Sequence, residues 1–390
     1  MTIDYQQVIQ KIREIAIVAK QNNEKTKTRC ERAIKLLEAN ANEFEALQRK
    51  VELAHDYDPN LRCALPVNEI LNASYLLPDL PSQVTLIAAD GSQINPDRHA
   101  ALFFSLINVG AIVIEPGSGK TPEIFTFSDL KYGEELYGDS GLIGEDLIAL
   151  GRDLAERQKL LDLAEQYPAP VVALTDGPVE VWGPKDGSSE AYRRTLETQL
   201  VILSRLQDRD VTLGGVVDKP GANLVVRLLE IAEMHVEELK DIRKKSSLRG
   251  VTDLWMFQQL LQPGERSAVF GLQSSSRAHY KGGLALHFFY LNTSRDEHPN
   301  LVRVEIPAWV AQDERKLNIL HAALISQCRI LGARAYPYIL HRAHEIAVVK
   351  FEDKQQVEQM LLLELRRAGV EVGEQSGKQA IKDLPGRGSK

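Results

Sequence analysis

Two apolar segments of this chain are each followed by the same dipeptide, an aspartate and then a glycine. Asp90-Gly91 follows the run from Val84 to Ala89, and Asp176-Gly177 follows the run from Val171 to Thr175. A carboxylate at the end of a buried strand is held at the rim of a sheet, and the glycine lets the backbone turn sharply. An isolated Asp-Gly pair is a common turn. Two of them, each directly after an apolar strand, favour a functional site.

Two such aspartates on neighbouring strands can bind one hard cation, because carboxylate oxygens suit Mg²⁺ and Mn²⁺. A metal held in this way activates water and stabilises the leaving oxygen when a phosphodiester is cleaved. Aspartate-nucleophile phosphatases and phosphotransferases usually carry a second carboxylate two residues after the first. Ser92 stands at that position, which disfavours this alternative. The sequence contains no complete Walker-type loop Gly-x-x-x-x-Gly-Lys-Ser/Thr, so an ATPase activity is not indicated.

A third segment near the C-terminus contains the pair Tyr336-Pro337 and, a few residues later, Ala343-His344. His344 is suited to bind a metal as a neutral imidazole or to carry a proton. Tyr336 is suited to hold a phosphate or to orient a water, although each side chain taken alone also fits a packed core. His341 and His344 are three residues apart, but a zinc site is disfavoured because no glutamate-based zinc motif lies nearby.

The net charge is −7, which argues against a histone-like nucleic-acid binder, although a local basic patch on an acidic protein can still contact DNA. The densest basic segment contains Arg243, Lys244 and Lys245. It can contact phosphates, or it can be a solvated helix end whose positive charge offsets the helix dipole. Lys219 follows a predicted strand as the two aspartates do, and Arg266 is a further candidate for a phosphate contact.

The hydropathy pattern predicts an α/β protein. Residues 1–56 are predicted to be helical, with the polar stretch Gln21 to Thr28 either interrupting the helix or exposing one of its sides. Residues 57–83, which contain four prolines, are predicted to be a linker. Residues 84–370 are predicted to be one domain, and 371–390 a flexible tail. The domain begins with strands at 84–89, 101–107, 111–114 and 124–127 and a helix at 142–166, after which strands and helices alternate. A strand is also predicted at Ile346 to Phe351. This order predicts a mixed sheet flanked by helices, the layout of a ribonuclease H-like core.

Targeting and redox signals are weak. Cys30, Cys63 and Cys328 are odd in number and far apart, so we expect buried thiols rather than disulfides or a zinc knuckle. The N-terminus lacks a signal pattern, and the longest apolar run, from about Ala100 to Ile114, is too short to cross a bilayer. We therefore expect a cytoplasmic protein without a membrane segment.

The segments taken together resemble the NurA family of DNA-end-processing nucleases. The resemblance runs from about residue 84 to 350 and rests on three blocks in this order: Ala89-Asp90-Gly91-Ser92-Gln93, Thr175-Asp176-Gly177-Pro178, and Tyr336-Pro337 through Ala343-His344. It implies a ribonuclease H-like fold, a homodimer, and manganese-dependent cleavage of DNA ends, with Mg²⁺ as the other metal to consider. It also implies a partner, a HerA-type hexameric translocase.

The resemblance also assigns the site residues. Asp90 and Asp176 match the metal-binding aspartates, His344 the histidine that completes the site, and Tyr336 the active-site tyrosine. The family places a glutamate on the helix before the second aspartate. Glu156 is our choice because it follows Arg152 by one turn and lies outside the leucine stripe of that helix. Its rivals are Glu145, Asp153 and Glu165. The alternative function is a DNA-end clamp or translocase regulator that does not cleave.

Overall fold

The computed structural model describes residues 3–97, 100, 102–138, 141–181, 190–296, 298–332 and 335–370. The helices within these residues are α1 (Tyr5–Ala39), α2 (Phe44–Tyr57), α3 (Glu145–Ala164), α4 (Glu190–Asp208), α5 (Leu224–Glu233), α6 (Asp253–Phe257), α7 (Ala308–Ala311), α8 (Glu314–Cys328), α9 (Tyr338–Ala347) and α10 (Phe351–Arg367). The strands are β1 (Cys63–Leu65), β2 (Ser74–Tyr75), β3 (Thr85–Ile94), β4 (Phe104–Ile114), β5 (Glu123–Tyr132), β6 (Tyr137–Gly138), β7 (Gly141–Leu142), β8 (Val171–Asp176), β9 (Thr212–Asp218), β10 (Arg266–Ser267), β11 (Phe270–Gln273), β12 (Leu286–Asn292) and β13 (Leu301–Pro307).

The chain divides into two compact units. The first unit comprises residues 1–80, 177–179 and 214–336, and the second comprises residues 81–176, 180–213 and 337–390. The prediction that 1–56, 57–83 and 84–370 are separate regions follows the linear sequence, and these boundaries remain predictions. The predicted tail, 371–390, lies outside the described residues. None of the described helices is long and apolar enough to span a membrane.

The first unit is built on antiparallel strands. β1 pairs with β11, β11 with β12, β12 with β13, and β13 with the part of β9 from Gly215 onward. Helices α1, α2, α5 and α6 pack against one another in this unit. Its interior contains a cluster of aromatic rings, in which Phe257 stacks on Tyr290 with ring centroids 4.8 Å apart.

The second unit contains the strands that carry the predicted chemistry. β3, β4 and β5 form an antiparallel meander, and β8 adds to the other edge of β3 in parallel, giving the order β5-β4-β3-β8. α3 and α9 pack on β3 and β4. A three-stranded meander followed by a helix and a strand parallel to the first is the arrangement predicted for a ribonuclease H-like core, so the predicted fold class is confirmed.

Predictions for three local segments can be compared with the structure. The polar stretch Gln21 to Thr28 does not interrupt α1, and the other alternative, exposure of one side, agrees with the exposure of most side chains from Asn22 to Thr28. The segment predicted as a linker contains β1 and β2, which are too short to give a period-2 pattern. The strand predicted at Ile346 to Phe351 is instead the end of α9, a short connection and the first residue of α10.

The sequence predicts two strands separated by Gly110, but β4 runs through this residue without a break. Gly110 is needed for packing. A Cβ built there would lie 2.5 Å from the Ala347 nitrogen and 2.7 Å from the Ile346 carbonyl carbon, both in the backbone of α9. The absence of a side chain at Gly110 lets the backbone of α9 lie directly on β4.

We expect Gly110→Ala to lower the free energy of unfolding by about 1–3 kcal/mol, because the helix backbone must move to admit the methyl group. Thermal or urea unfolding of the purified variant checks this. Gly119→Ala is not a suitable control, because its φ is +73°. Gly221→Ala is suitable, because a Cβ there meets nothing within 4 Å and the backbone is not left-handed. Equal losses for the two variants would contradict the packing explanation.

Candidate active site

Asp90 and Asp176 are neighbours just beyond the last paired residues of the parallel strands β3 and β8. The register pairs Ala89 with Thr175, and each aspartate is the next residue on its strand. Adjacent strands are about 4.8 Å apart, so the two backbones present neighbouring carboxylates. Asp176 is exposed, whereas only 14% of the Asp90 side chain is exposed. The structure therefore brings together the two aspartates that the sequence singled out.

The glycines after the two aspartates serve different purposes. β8 ends at Asp176, and Gly177 has a φ of +91°, which permits the predicted turn. β3 instead continues past Gly91 to Ile94. A Cβ at Gly91 would lie 2.7 Å from the Glu156 Oε1 and 2.6 Å from the Arg152 Cγ. Gly91 thus lets α3 approach the strand immediately beside Asp90.

Glu156 on α3 is buried, with 5% of the residue exposed, and it faces β3 beside Gly91. Because Glu156 lies outside the leucine stripe of α3, the sequence predicted that it would lie outside the core, and that prediction was wrong. The buried face of α3 includes positions on both sides of that stripe, because the helix packs against β3, β4 and β8 together. The residue chosen is nonetheless the α3 glutamate whose charge interacts with that of Asp90.

Both acidic and basic groups surround Glu156. Burial, together with the charges of Asp153 and Asp90, raises the pKa of Glu156 to about 8 against the opposing charges of Arg157 and Arg152. The Arg152 Nε lies 3.4 Å from the Glu156 Oε1, and its Nη2 donates to the Asp153 Oδ1 at 2.8 Å. Arg152 therefore contacts both of these carboxylates.

His344 contacts Asp90 from α9. The Nδ1 atom of His344 lies 2.7 Å from the Asp90 Oδ2, and 62% of the histidine side chain is exposed. The end of α9 is anchored by Ser92 and Asn108, whose side chains both donate to the Ala347 carbonyl. His341 instead lies 3.5 Å from Glu345, so the two histidines have different partners and do not form a shared zinc site.

The rivals of Glu156 are placed less favourably for such a site. Glu145 is exposed at the first residue of α3, and Glu165 is exposed and paired with Arg205. Asp153 lies close to Glu156 but is held by Arg152. In the part of the chain that the structure describes, no three histidine, cysteine or acidic side chains are gathered in a metal-ligating arrangement.

Tyr336 and the predicted DNA contacts belong to the first unit. Tyr336 is partly buried and precedes Pro337, the N-cap of α9. Lys219 is exposed directly after β9, and its φ of +45° is a left-handed conformation that non-glycine residues rarely adopt. Backbone strain of this kind is often retained at functional positions. The roles of Tyr336 and Lys219 remain predictions.

The basic segment from residue 243 to 245 is exposed. Arg243 Nε lies 3.0 Å from an Asp58 carboxylate oxygen, and Lys245 Nζ lies 2.7 Å from Glu238. Surface ion pairs of this kind contribute little stability. They can therefore exchange for contacts with phosphates at little cost, and Lys244 is exposed beside them.

Arg266 was predicted to contact DNA, and its position contradicts this. Only 2% of Arg266 is exposed. Its guanidinium donates two hydrogen bonds of 2.9 Å to the carboxylate of Glu69 and lies 3.8 Å from the ring centroid of Tyr75. A guanidinium enclosed in this way cannot reach a phosphate. The sequence could not reveal this, because the partner Glu69 is almost 200 positions away.

Two residues that shape the site were given no role of their own in the sequence prediction. Arg152 entered only as the residue one turn before Glu156, and the structure shows that this i, i+4 spacing brings the two charges together. Ser92 was noted only as the residue that replaces a second carboxylate. Its hydroxyl accepts from the Val349 amide at 3.1 Å, in addition to its bond with Ala347, and so helps to fix the end of the helix that carries His344.

Comparison with known proteins gives one family match. A sequence model of the NurA domain matches residues 84–349. No curated protein matches significantly. The NurA nuclease from Sulfolobus solfataricus aligns with a TM-score of 0.48 and 14% identity, covering 76% of this chain and 88% of that one. Endonuclease V from Ciona intestinalis, in complex with DNA, aligns with a TM-score of 0.32 and 11% identity over 81% of this chain and 99% of that one.

Proposed function

Since the chain belongs to the NurA family of nucleases, we propose that it is a metal-dependent nuclease that resects DNA ends in double-strand break repair, with exonuclease and single-strand endonuclease activities. The position of Asp90 carries this proposal. It stands beside Asp176 on the neighbouring strand, contacts His344 at 2.7 Å, and interacts through its charge with buried Glu156. Three elements distant in sequence thus converge on one carboxylate.

The residues around Asp90 suit a divalent cation by the chemistry of their donor atoms. Carboxylate oxygens of Asp90, Glu156 and Asp176 and the imidazole of His344 are donors that Mn²⁺ accepts, and Mg²⁺ suits the carboxylates. The raised pKa of Glu156 supports the fit, because a buried carboxyl near other carboxylates gains most from added positive charge. When bound, the metal would supply an activated water and stabilise the leaving oxygen.

The chain's own groups have separate tasks in this proposal. His344 is exposed and is hydrogen-bonded to Asp90, so it can hold or transfer a proton at the surface of the site. Arg152 holds Glu156 and Asp153 in place and would release Glu156 to a cation. Tyr336 is proposed to orient a water or a phosphate oxygen.

DNA binding and assembly complete the proposal. Lys219 and the basic segment Arg243, Lys244 and Lys245 are proposed to contact the phosphates of the DNA end. We further propose that the protein is a homodimer, that it acts in the cytoplasm, and that a HerA-type hexameric translocase feeds DNA to it. The homodimer and the translocase partner are what membership of the family implies.

Digestion of end-labelled linear DNA tests the proposed function. We expect wild-type protein to shorten the DNA in Mn²⁺, to do so with a different efficiency in Mg²⁺, and to leave it intact in EDTA. The reaction is run with and without a HerA-type translocase. DNA-end binding without cleavage, under every metal and with the translocase present, would replace the nuclease by the alternative, a DNA-end clamp.

A further inference from the structure

A cavity of about 580 Å³ lies in the second unit, where β3 ends and α10 begins. Its size falls in the range of pockets that bind small organic ligands. The cavity is lined by Gln93 and the residues that follow it to Asp97, by Glu145 at the start of α3, and by Val349, Lys350, Phe351 and Lys354. None of these residues has a role in the cation site proposed above.

The cavity is connected to Asp90 along one face of β3. Asp90 and Ser92 both contact α9, and Ile94, the next residue on that face, belongs to a hydrophobic cluster against which Val349 packs. Alternate residues on a strand are about 6.6 Å apart, so Ile94 lies about 13 Å from Asp90. That distance equals about four nucleotides at the rise of stacked DNA. A strand cut at Asp90 can therefore reach the cavity with a nearby nucleotide.

The walls of the cavity carry amide groups with unused hydrogen-bonding capacity. The Gln93 Nε2 donates to the Asn95 Oδ1 at 2.7 Å. The Gln93 Oε1 is buried and accepts no hydrogen bond from the residues that the structure describes. A buried acceptor without a donor is costly, and the amino group of a nucleobase would satisfy it.

The charged groups around the cavity balance one another. Lys350 is exposed, and the Lys354 Nζ lies 4.0 Å from the Asp97 Oδ2, while Glu145 supplies a second carboxylate. Two lysines opposed by two carboxylates do not form a strong site for a bare phosphate. They suit a ligand that places one phosphate near the lysines and also fills the rest of the cavity.

Phe351 supplies a surface for the part of such a ligand that is not the phosphate. It is the first residue of α10, and 61% of it is exposed, although phenylalanine is normally buried. An exposed aromatic ring beside lysines is the arrangement by which proteins bind single-stranded nucleic acid, because a base stacks on the ring while the lysines meet the backbone.

We propose that this cavity binds one unpaired nucleotide of the DNA strand, with its base on Phe351 and against Gln93 and its phosphate at Lys350 and Lys354. The proposal rests on the proposed function in that the ligand belongs to the substrate strand. The cavity would thus hold the strand in register with Asp90, at a distance of a few nucleotides from the position that is cut.

Fluorescence anisotropy of a labelled single-stranded oligonucleotide, measured in EDTA, tests the cavity without any need for cleavage. We expect Phe351→Ala to weaken binding about ten-fold, the loss of one base stack, and Phe351→Trp to keep wild-type affinity. Phe127→Ala is the matched control, because Phe127 is also an exposed ring of the second unit, 50% exposed on β5. We also expect deoxyadenosine monophosphate to compete with the oligonucleotide at lower concentration than inorganic phosphate does.

The outcomes separate this inference from the proposed nuclease function. Equal affinities for Phe351→Ala and Phe127→Ala, absent oligonucleotide binding by wild type, or equal competition by phosphate and the nucleotide would each overturn the nucleotide site. Metal-dependent cleavage by wild type alongside any of these results would leave the nuclease intact. Selective loss of binding in Phe351→Ala, without cleavage by wild type in any metal, would support the site and contradict the nuclease.

Discussion

Asp90→Ala is expected to reduce metal-dependent DNA cleavage by about 10³-fold or more. Removing a group that only supports a metal ligand typically costs 10- to 100-fold, and loss of a direct ligand costs more. Asp90 also contacts His344 and is the neighbour of Asp176, so the substitution also removes the contact that His344 makes in the proposed site. The measurement is the initial rate of shortening of end-labelled DNA in Mn²⁺.

The structure predicts that Asp90→Ala folds normally. Asp90 is only partly buried, and its hydrogen-bond partner among the described residues, His344, is largely exposed, so no buried group there loses its partner. Asp129→Ala is a matched control, because the Asp129 carboxylate lies half-exposed on β5 of the same unit. The control should keep wild-type activity. Cleavage by Asp90→Ala at the wild-type rate would mean that the metal is bound elsewhere or that a contaminant cuts the DNA.

The two aspartates were predictable because their position depends on local sequence. A short apolar run predicts a buried strand that ends near the following residue; this holds for Asp176, whereas β3 continues past Asp90 to Ile94. The register makes β3 and β8 neighbours, which is the arrangement in which two such aspartates can bind one cation. His344 required more, because its distance from Asp90 depends on how α9 packs, and its place in the same site was implied only by the family resemblance.

The parts of the site that sequence could not predict depend on close packing between distant elements. The burial of Glu156 follows from the absence of a side chain at Gly91, and the continuity of β4 through Gly110 follows from the approach of the α9 backbone. Arg266 was mistaken for a surface cation because its ion pair with Glu69 joins positions far apart in the sequence. In each case the residue's environment is determined by a neighbour far away in the sequence, which a local sequence pattern does not identify.

Asp253→Ala is expected to lower the free energy of unfolding by about 3–5 kcal/mol, the usual cost of removing one partner from a buried charged network. Asp253 is fully buried. It accepts hydrogen bonds from the Val225 amide at 2.9 Å, the Val226 amide at 2.8 Å and the Tyr290 hydroxyl at 2.7 Å. The two amides are at the start of α5, so Asp253 replaces the side-chain cap that Asn223 does not provide.

Urea unfolding measures this loss as a lower midpoint with an unchanged slope. Asp56→Ala is the matched control, since Asp56 is an exposed carboxylate on α2 of the same unit, and it should change the midpoint little. Asp253→Asn should fall between the two, because the amide keeps one acceptor oxygen. A midpoint for Asp253→Ala equal to that of the control would show that water or a rearranged side chain satisfies all three donors.

The loss should also depend on pH in a defined direction. Burial raises the pKa of Asp253 from 3.8 to about 6, although the hydrogen bonds from Val226, Val225 and Tyr290 act to lower it. A group whose pKa is higher in the folded state binds its proton more tightly there, so its contribution to stability is complete below pH 3.8 and is lost as the pH rises through about 6. The difference in stability between wild type and Asp253→Ala should therefore be larger below pH 6 than above it. A difference that shrinks on acidification would mean that the folded protein holds Asp253 as a carboxylate throughout, with the three hydrogen bonds outweighing the cost of its burial.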